Sequence, residues 1–159
     1  MVEELDERMA DTSCTLDEEE AMRVALFRLS APADYTLDLH CDTDATLHMY
    51  THPQCWERLK PLAAALESQH CFLATHSGGD PFDEANSEPW ELLQKKFSDY
   101  PIDMACASCT VELRGEKDVT DEYALKDARG IFEFLISSGF VSSSDVSIVE
   151  EKTLLREAT

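Results

Sequence analysis

Apolar and polar positions alternate over two stretches in the first half of the chain. Tyr35, Leu37, Leu39 and Cys41 interleave with Thr36, Asp38, His40 and Asp42, and Ala45, Leu47 and Met49 interleave with Thr46, His48 and Tyr50. A period of two marks strands that lay one face on a core. The turn-prone linker Asp42-Thr43-Asp44 predicts that the two pair as an antiparallel hairpin. Before them, Thr15 and Glu18 fit a capping box and Met22, Ala25, Leu26 and Leu29 fall on one helical stripe, so a helix is expected from Leu16 to Leu29, stopped by Pro32. After them, Pro53 can open a helix whose stripe is Trp56, Leu59, Ala63 and Leu66, running to Ser68 with a kink or split at Pro61. The apolar run from Cys71 to Thr75 predicts a third, buried strand.

The second half begins with a segment rich in breakers. Gly78, Gly79, Pro81 and Asn86, mixed with Asp80, Asp83, Glu84 and Glu88, predict a long acidic loop from Ser77 to Pro89. Trp90, Leu92, Leu93 and Phe97 then predict a helix to Asp99. From Ile102 to Leu113 the pattern is again strand-like, but its phase changes at Ala107 and Ser108, which predicts a bulge there. Thr120, Asp121 and Glu122 open the clearest helix, with Tyr123, Ala124, Ala128, Ile131, Phe132 and Leu135 as its apolar face and Gly139 at its end. Val146 to Val149 supply a last short strand. The expected fold class is α+β: a single-domain two-layer sandwich, with a mainly antiparallel sheet, an N-terminal hairpin and about four helices. It occupies residues 14–152, between an acidic, mobile tail at 1–13 and a polar tail at 153–159.

Charge changes this picture more than composition does. The 159 residues hold 33 acids against 13 Lys and Arg, for a formal net charge of −20. A compact monomer with that charge repels DNA, RNA and anionic membranes and favours cationic partners. A chain of this length folds to a globule roughly 40 Å across, and duplex DNA of that length carries about 23 phosphate charges, so the two charge densities are comparable. Residues 1–20 alone contain nine acids against Arg8. The expectation is an acidic protein-binding module that docks on the basic surface of a partner, in the manner of a nucleic-acid-mimicking inhibitor of the anti-restriction, anti-CRISPR, nuclease-inhibitor or immunity type. Its contact acids are Asp38, Asp42 and Asp44 in the hairpin, Asp80, Asp83, Glu84 and Glu88 in the loop, and Glu116, Asp118, Asp121 and Glu122 before the last helix.

Candidate chemistry adds one alternative. No Gly-rich phosphate loop, nucleophile elbow or His-Glu-x-x-His helix occurs, so neither an enzyme nor a cofactor is expected. Cys106 and Cys109 stand three positions apart and can share a metal ion or a disulfide, which makes a small thiol or zinc-binding protein the second reading. In a regular strand the two thiols point to opposite faces. All five histidines, His40, His48, His52, His70 and His76, cluster in one stretch with Cys41, Cys55 and Cys71 among them. No run of apolar residues approaches a bilayer span and no leader is evident, so a cytoplasmic protein with reduced thiols is expected.

One local resemblance remains. Met49-Tyr50-Thr51-His52-Pro53-Gln54-Cys55 resembles the glutaredoxin pattern, in which a strand ends in Tyr-Thr and a cysteine opens the next helix. The resemblance implies a reactive Cys55 thiol, acidified by the helix start and by His52 and Arg58. Cys55-Trp56-Glu57-Arg58 lacks the second cysteine of that pattern.

Overall fold

A computed structural model describes residues 17–79 and 81–144. In chain order these form helix α1 (Glu18–Ser30), strand β1 (Tyr35–Asp42), strand β2 (His48–Thr51), a 3₁₀ turn (Pro53–Cys55), helix α2 (Trp56–Ala65), strand β3 (His70–Leu73), helix α3 (Phe82–Lys96), strand β4 (Ala107–Gly115) and helix α4 (Asp121–Ser137). The expected tails, Thr15 and the strand at Val146–Val149 lie outside the described residues. Among the described residues no helix is long and apolar enough to cross a membrane.

The α+β class holds, but the sheet is mixed rather than mainly antiparallel, and the two-layer sandwich does not describe it. Strand order is β1-β4-β2-β3, so the expected hairpin does not form: β4 lies between β1 and β2. Ala107 N bonds Asp34 O at one end of the β1–β4 ladder and Glu116 N bonds Asp42 O at the other, which makes the pair parallel. β2 and β3 are also parallel to each other, since Ala74, just past β3, bonds the last residue of β2 through Thr51 O. The physical reason is the length of β4. Its nine residues offer a ladder along the whole of β1, whereas the four-residue β2 would leave half of β1 unpaired.

The helices start where capping chemistry directs. Asp17, not Thr15, caps α1: its carboxylate accepts from Glu20 N at 2.8 Å, and Glu20 reaches back to Asp17 N. Thr120 caps α4 as expected, accepting from Tyr123 N. The long acidic loop is a correction, because helix begins at Phe82 and runs through Pro89. Asp83 and Glu84 occupy its first turn, where the helix dipole favours acids. Asn86, expected to break structure, instead bonds back through its side chain to Phe82 O within the helix, and Ser87 does the same to Asp83 O. The Ala107–Ser108 bulge is a correction as well, since β4 simply begins there.

The chain divides into two compact units, and the strands contribute residues to both. In the unit of residues 17–38, 50–56 and 73–110, the interior is unusually polar. Thr51, His52, Asp83, Asn86, Ser87 and Ser108 are buried there beside Cys55, Met104, Cys106 and Cys109. Ser30 Oγ donates to Asn86 Oδ1 at 2.6 Å and ties α1 to α3. The expected apolar stripe of α1 is not its buried face, for Met22, Leu26 and Leu29 are all exposed.

In the unit of residues 39–49, 57–72 and 111–144 the core is apolar: Leu47, Met49, Leu59, Leu62, Leu66, Val111 and Phe134. β3 is an edge strand, not the buried one expected, and Phe72 there is 52% exposed. The face that α4 buries is Asp127, Gly130 and Phe134, turned away from the apolar stripe expected at Tyr123, Ala124 and Ala128. Gly130 explains the turn. A Cβ at that position would stand 2.7 Å from the Ala65 carbonyl oxygen, so only glycine lets α4 approach the end of α2 this closely. Gly130→Ala should therefore destabilise the protein by about 1–3 kcal/mol, the usual penalty of forced overpacking. Chemical denaturation of the variant checks this, and an unchanged midpoint would show that α4 can back away freely.

Candidate functional site

The parallel β1–β4 ladder decides which side chains meet. An N–H in such a ladder reaches the residue just before its neighbour, so the two end bonds place Ala107 beside Tyr35 and Glu116 beside Thr43. β4 thus carries one residue more than β1 over the same span. That extra residue sits at Arg114, whose φ of 83° is the left-handed conformation of a β-bulge. Before the bulge the register is unshifted, and Glu112 falls beside His40 on the neighbouring strand, about 4.8 Å away across the ladder. The contact of Thr36 Oγ1 with Cys106 Sγ at 3.3 Å agrees that the even-numbered residues of both strands share a face.

His40 is exposed, whereas Glu112 is half-buried. The Oε2 atom of Glu112 is sequestered from solvent and has no hydrogen-bond partner among the described residues. Such an orphan is costly in a folded chain and points to a group the protein has reason to keep. Both residues lie toward the C-terminal ends of parallel strands, where sheets of this kind gather their ligands.

The end of β4 is clamped. Arg114 makes a two-pronged ion pair with Asp127 of α4, Nη1 to Oδ2 at 2.7 Å and Nη2 to Oδ1 at 3.0 Å. Its guanidinium also stacks on the Tyr123 ring, 4.2 Å from the centroid. The bond to Asp127 is the largest cause holding the Arg114 pKa above its ordinary value, with desolvation opposing it. Next to it, Gly115 N donates to Asp118 Oδ2 at 3.1 Å. A Cβ on Gly115 would come within 3.2 Å of Asp44 Cα and 3.3 Å of Thr43 O, so the end of β4 presses directly on the turn after β1.

The acids singled out in the sequence are spread over several environments. Asp38 and Asp42 are on β1 and Asp44 follows it; Glu116 and Asp118 follow β4; Asp121 and Glu122 form the first turn of α4. Asp83 is only 5% exposed and accepts from Thr110 Oγ1 at 3.2 Å, while Glu84 accepts from Ser77 and Glu88 is exposed on α3. Asp80 lies outside the described residues. Glu112 is not among the acids singled out, although one signal in the sequence marks it: an acid between Val111 and Leu113 in a segment otherwise free of charge from Ala105 to Leu113.

Cys55, Cys71, Cys106 and Cys109 sit in environments that disfavour thiol chemistry. Cys106 and Cys109 are fully buried three residues apart, and among the described residues no three of His, Cys, Asp and Glu come together to hold a metal ion. Burial pushes the Cys71 thiol up to about 11, away from thiolate chemistry. Cys55 is also buried, its Sγ lying 3.5 Å from Met104 Sδ, so it is not the reactive thiol of the glutaredoxin pattern. The histidines have separate roles. His48 packs edge-on against Phe72. His52 accepts from Gln54 N through Nδ1 and donates through Nε2 to Glu91 Oε1 at 3.0 Å.

No protein-family model matches the chain, and no curated protein does. Solved structures do. The chain is similar to a succinylglutamate desuccinylase/aspartoacylase family protein from Shewanella amazonensis, with 26% identity and a TM-score of 0.72 over 89% of this chain and 38% of that one. It is similar in fold to a succinylglutamate desuccinylase/aspartoacylase from Shewanella frigidimarina, with 24% identity and a TM-score of 0.70 over 89% of this chain and 37% of that one. A third, from Rhodobacter sphaeroides, shares 21% identity at a TM-score of 0.52, over 78% of this chain and 35% of that one. The chain therefore spans well under half the length of the proteins it matches. These neighbours are named as enzymes, which overturns the acidic docking module, the nucleic-acid-mimicking inhibitor, the thiol or zinc alternative and the expectation of no enzyme.

Asp83 provides a test of the polar interior. Burial raises its pKa, the Thr110 bond opposes that rise, and the charge of Glu84 adds to it. The folded protein thus holds this proton more tightly than the unfolded chain. The stability it contributes is complete below the unfolded value and is lost as pH rises through the folded one. Asp83→Asn removes that loss and keeps an oxygen for Thr110. The variant should melt above wild type near neutral pH, with the gap closing as pH is lowered toward about 4; parallel melting curves across the range would show that Asp83 is not the group responsible.

Proposed function

We propose that this chain carries the catalytic carboxylate of a hydrolase that cleaves the amide between an acyl group and an amino acid, with Glu112 as general base and His40 beside it. The observation that carries the reading is the buried, unpartnered Glu112 Oε2 near a strand end, at a position that the ladder register sets across from His40. The 26% identity and the TM-score of 0.72 to a succinylglutamate desuccinylase/aspartoacylase family protein support the substrate class, since both names describe removal of an acyl group from an acidic amino acid.

The chemistry needs a proton acceptor close to a bound water. Glu112 takes a proton from that water as its oxygen bonds to the acyl carbonyl carbon. An N–H of His40 donates to the carbonyl oxygen as negative charge grows there. When the carbon–nitrogen bond breaks, the proton held by Glu112 passes to the departing amine, so the products are a carboxylate and a free amino acid.

The test is release of free amino acid from N-acetylaspartate and N-succinylglutamate, followed for wild type, Glu112→Gln and His40→Ala. Wild type should release the amino acid, and Glu112→Gln should lower kcat on the order of a hundredfold to ten-thousandfold with its melting temperature retained. Absence of hydrolysis by wild type, or full activity in a folded Glu112→Gln variant, would overturn the proposal.

A further inference from the structure

Arg114 occupies a backbone conformation that a side-chain-bearing residue adopts only when its surroundings enforce it. Here three contacts do so at once. Asp127 grips the guanidinium from α4 in two places, Tyr123 covers its face, and Asp118 holds the following N–H of Gly115. On the other side, Glu116 N bonds Asp42 O at 2.7 Å, and Gly115 packs so closely on Thr43 and Asp44 that a Cβ there would press on both. The bend in β4 is thereby locked between the turn after β1 and the start of α4.

We infer that Arg114 is a positioning residue: clamped by Asp127 and Tyr123, it holds the left-handed bend that fixes the Glu112 carboxylate beside His40. The argument is geometric. Glu112 and Arg114 are two positions apart on one strand, so in a regular strand their side chains would lean the same way. The bend at Arg114 changes the direction of the chain just after Glu112, and the side chain of Arg114 is drawn off to α4. Glu112 is left with a buried oxygen that no described side chain satisfies, the arrangement expected when a carboxylate is held in place through its backbone rather than by bonds to its own oxygens. Lysine would not replace Arg114, because an ammonium cannot form the two-pronged pair or lie flat on the Tyr123 ring.

This inference rests on the proposed role of Glu112 for its link to catalysis, but its physical content can be read without activity. The full chain, labelled with ¹³C at glutamate side-chain carboxyls, is titrated by NMR as wild type, Arg114→Lys, Asp127→Asn and Tyr123→Leu. Glu112→Gln identifies the Glu112 signal. Tyr123 is partly exposed, so Tyr123→Leu loosens the clamp with little risk to folding. The Glu112 signal should move in all three clamp variants, while the other glutamates stay unchanged. In the hydrolysis assay kcat should fall about tenfold to a hundredfold, as misplacement of a catalytic group does, with KM changing little. An unchanged Glu112 signal in folded Tyr123→Leu and Asp127→Asn would overturn the inference even if Glu112→Gln is inactive. A shifted Glu112 signal together with an active Glu112→Gln would keep the positioning and refute the catalytic role.

Discussion

The parallel ladder between β1 and β4 is the constraint on which the rest depends. Ala107 bonds Asp34 and Glu116 bonds Asp42, so β4 runs parallel to β1, and it lies between β1 and β2 in a mixed sheet. The same register places Glu112 beside His40. Because β4 is one residue longer over that span, the surplus has to be absorbed as a bulge, and it is absorbed at Arg114, where α4 supplies the charge and the ring that make the bend tolerable.

How much of this was legible in the sequence follows from which interactions are local. Strand β1, helix α2 and the cap of α4 at Thr120 are written in periodicity and capping, which act over a few residues. The partner of β1 is not, because alternation identifies a strand and says nothing of which other strand it will meet. Ser77 to Pro89 misled for a related reason. Asn86 counts as a breaker on average, yet in this helix it bonds back to a carbonyl of the preceding turn, as its neighbour Ser87 does. The buried face of α4 was equally illegible: a salt-bridged Asp127 and a glycine carry it, and neither registers as apolar.

The candidate site was hidden by a different effect. Net charge is carried by acids that are numerous and mostly solvated, whereas the informative acid is the one flanked by apolar residues. An exposed carboxylate is the default in a chain with 33 acids. A carboxylate oxygen sequestered in a strand between Val111 and Leu113 is an exception that needs a cause. Alternation puts His40 on a polar face, and it is exposed there, but its significance arises only from the neighbour across the ladder.

The β1–β4 pairing also has a kinetic side. Thr36 and Cys106, in contact at 3.3 Å, are 70 residues apart in sequence. Parallel strands joined over such a distance must close a long loop before any ladder bond compensates the lost entropy. β2, α2 and β3 can associate early through short connections, but β4 has no partner on its β1 side until that closure succeeds. Proximity of His40 and Glu112 is consequently tied to that single long-range closure rather than to any local turn.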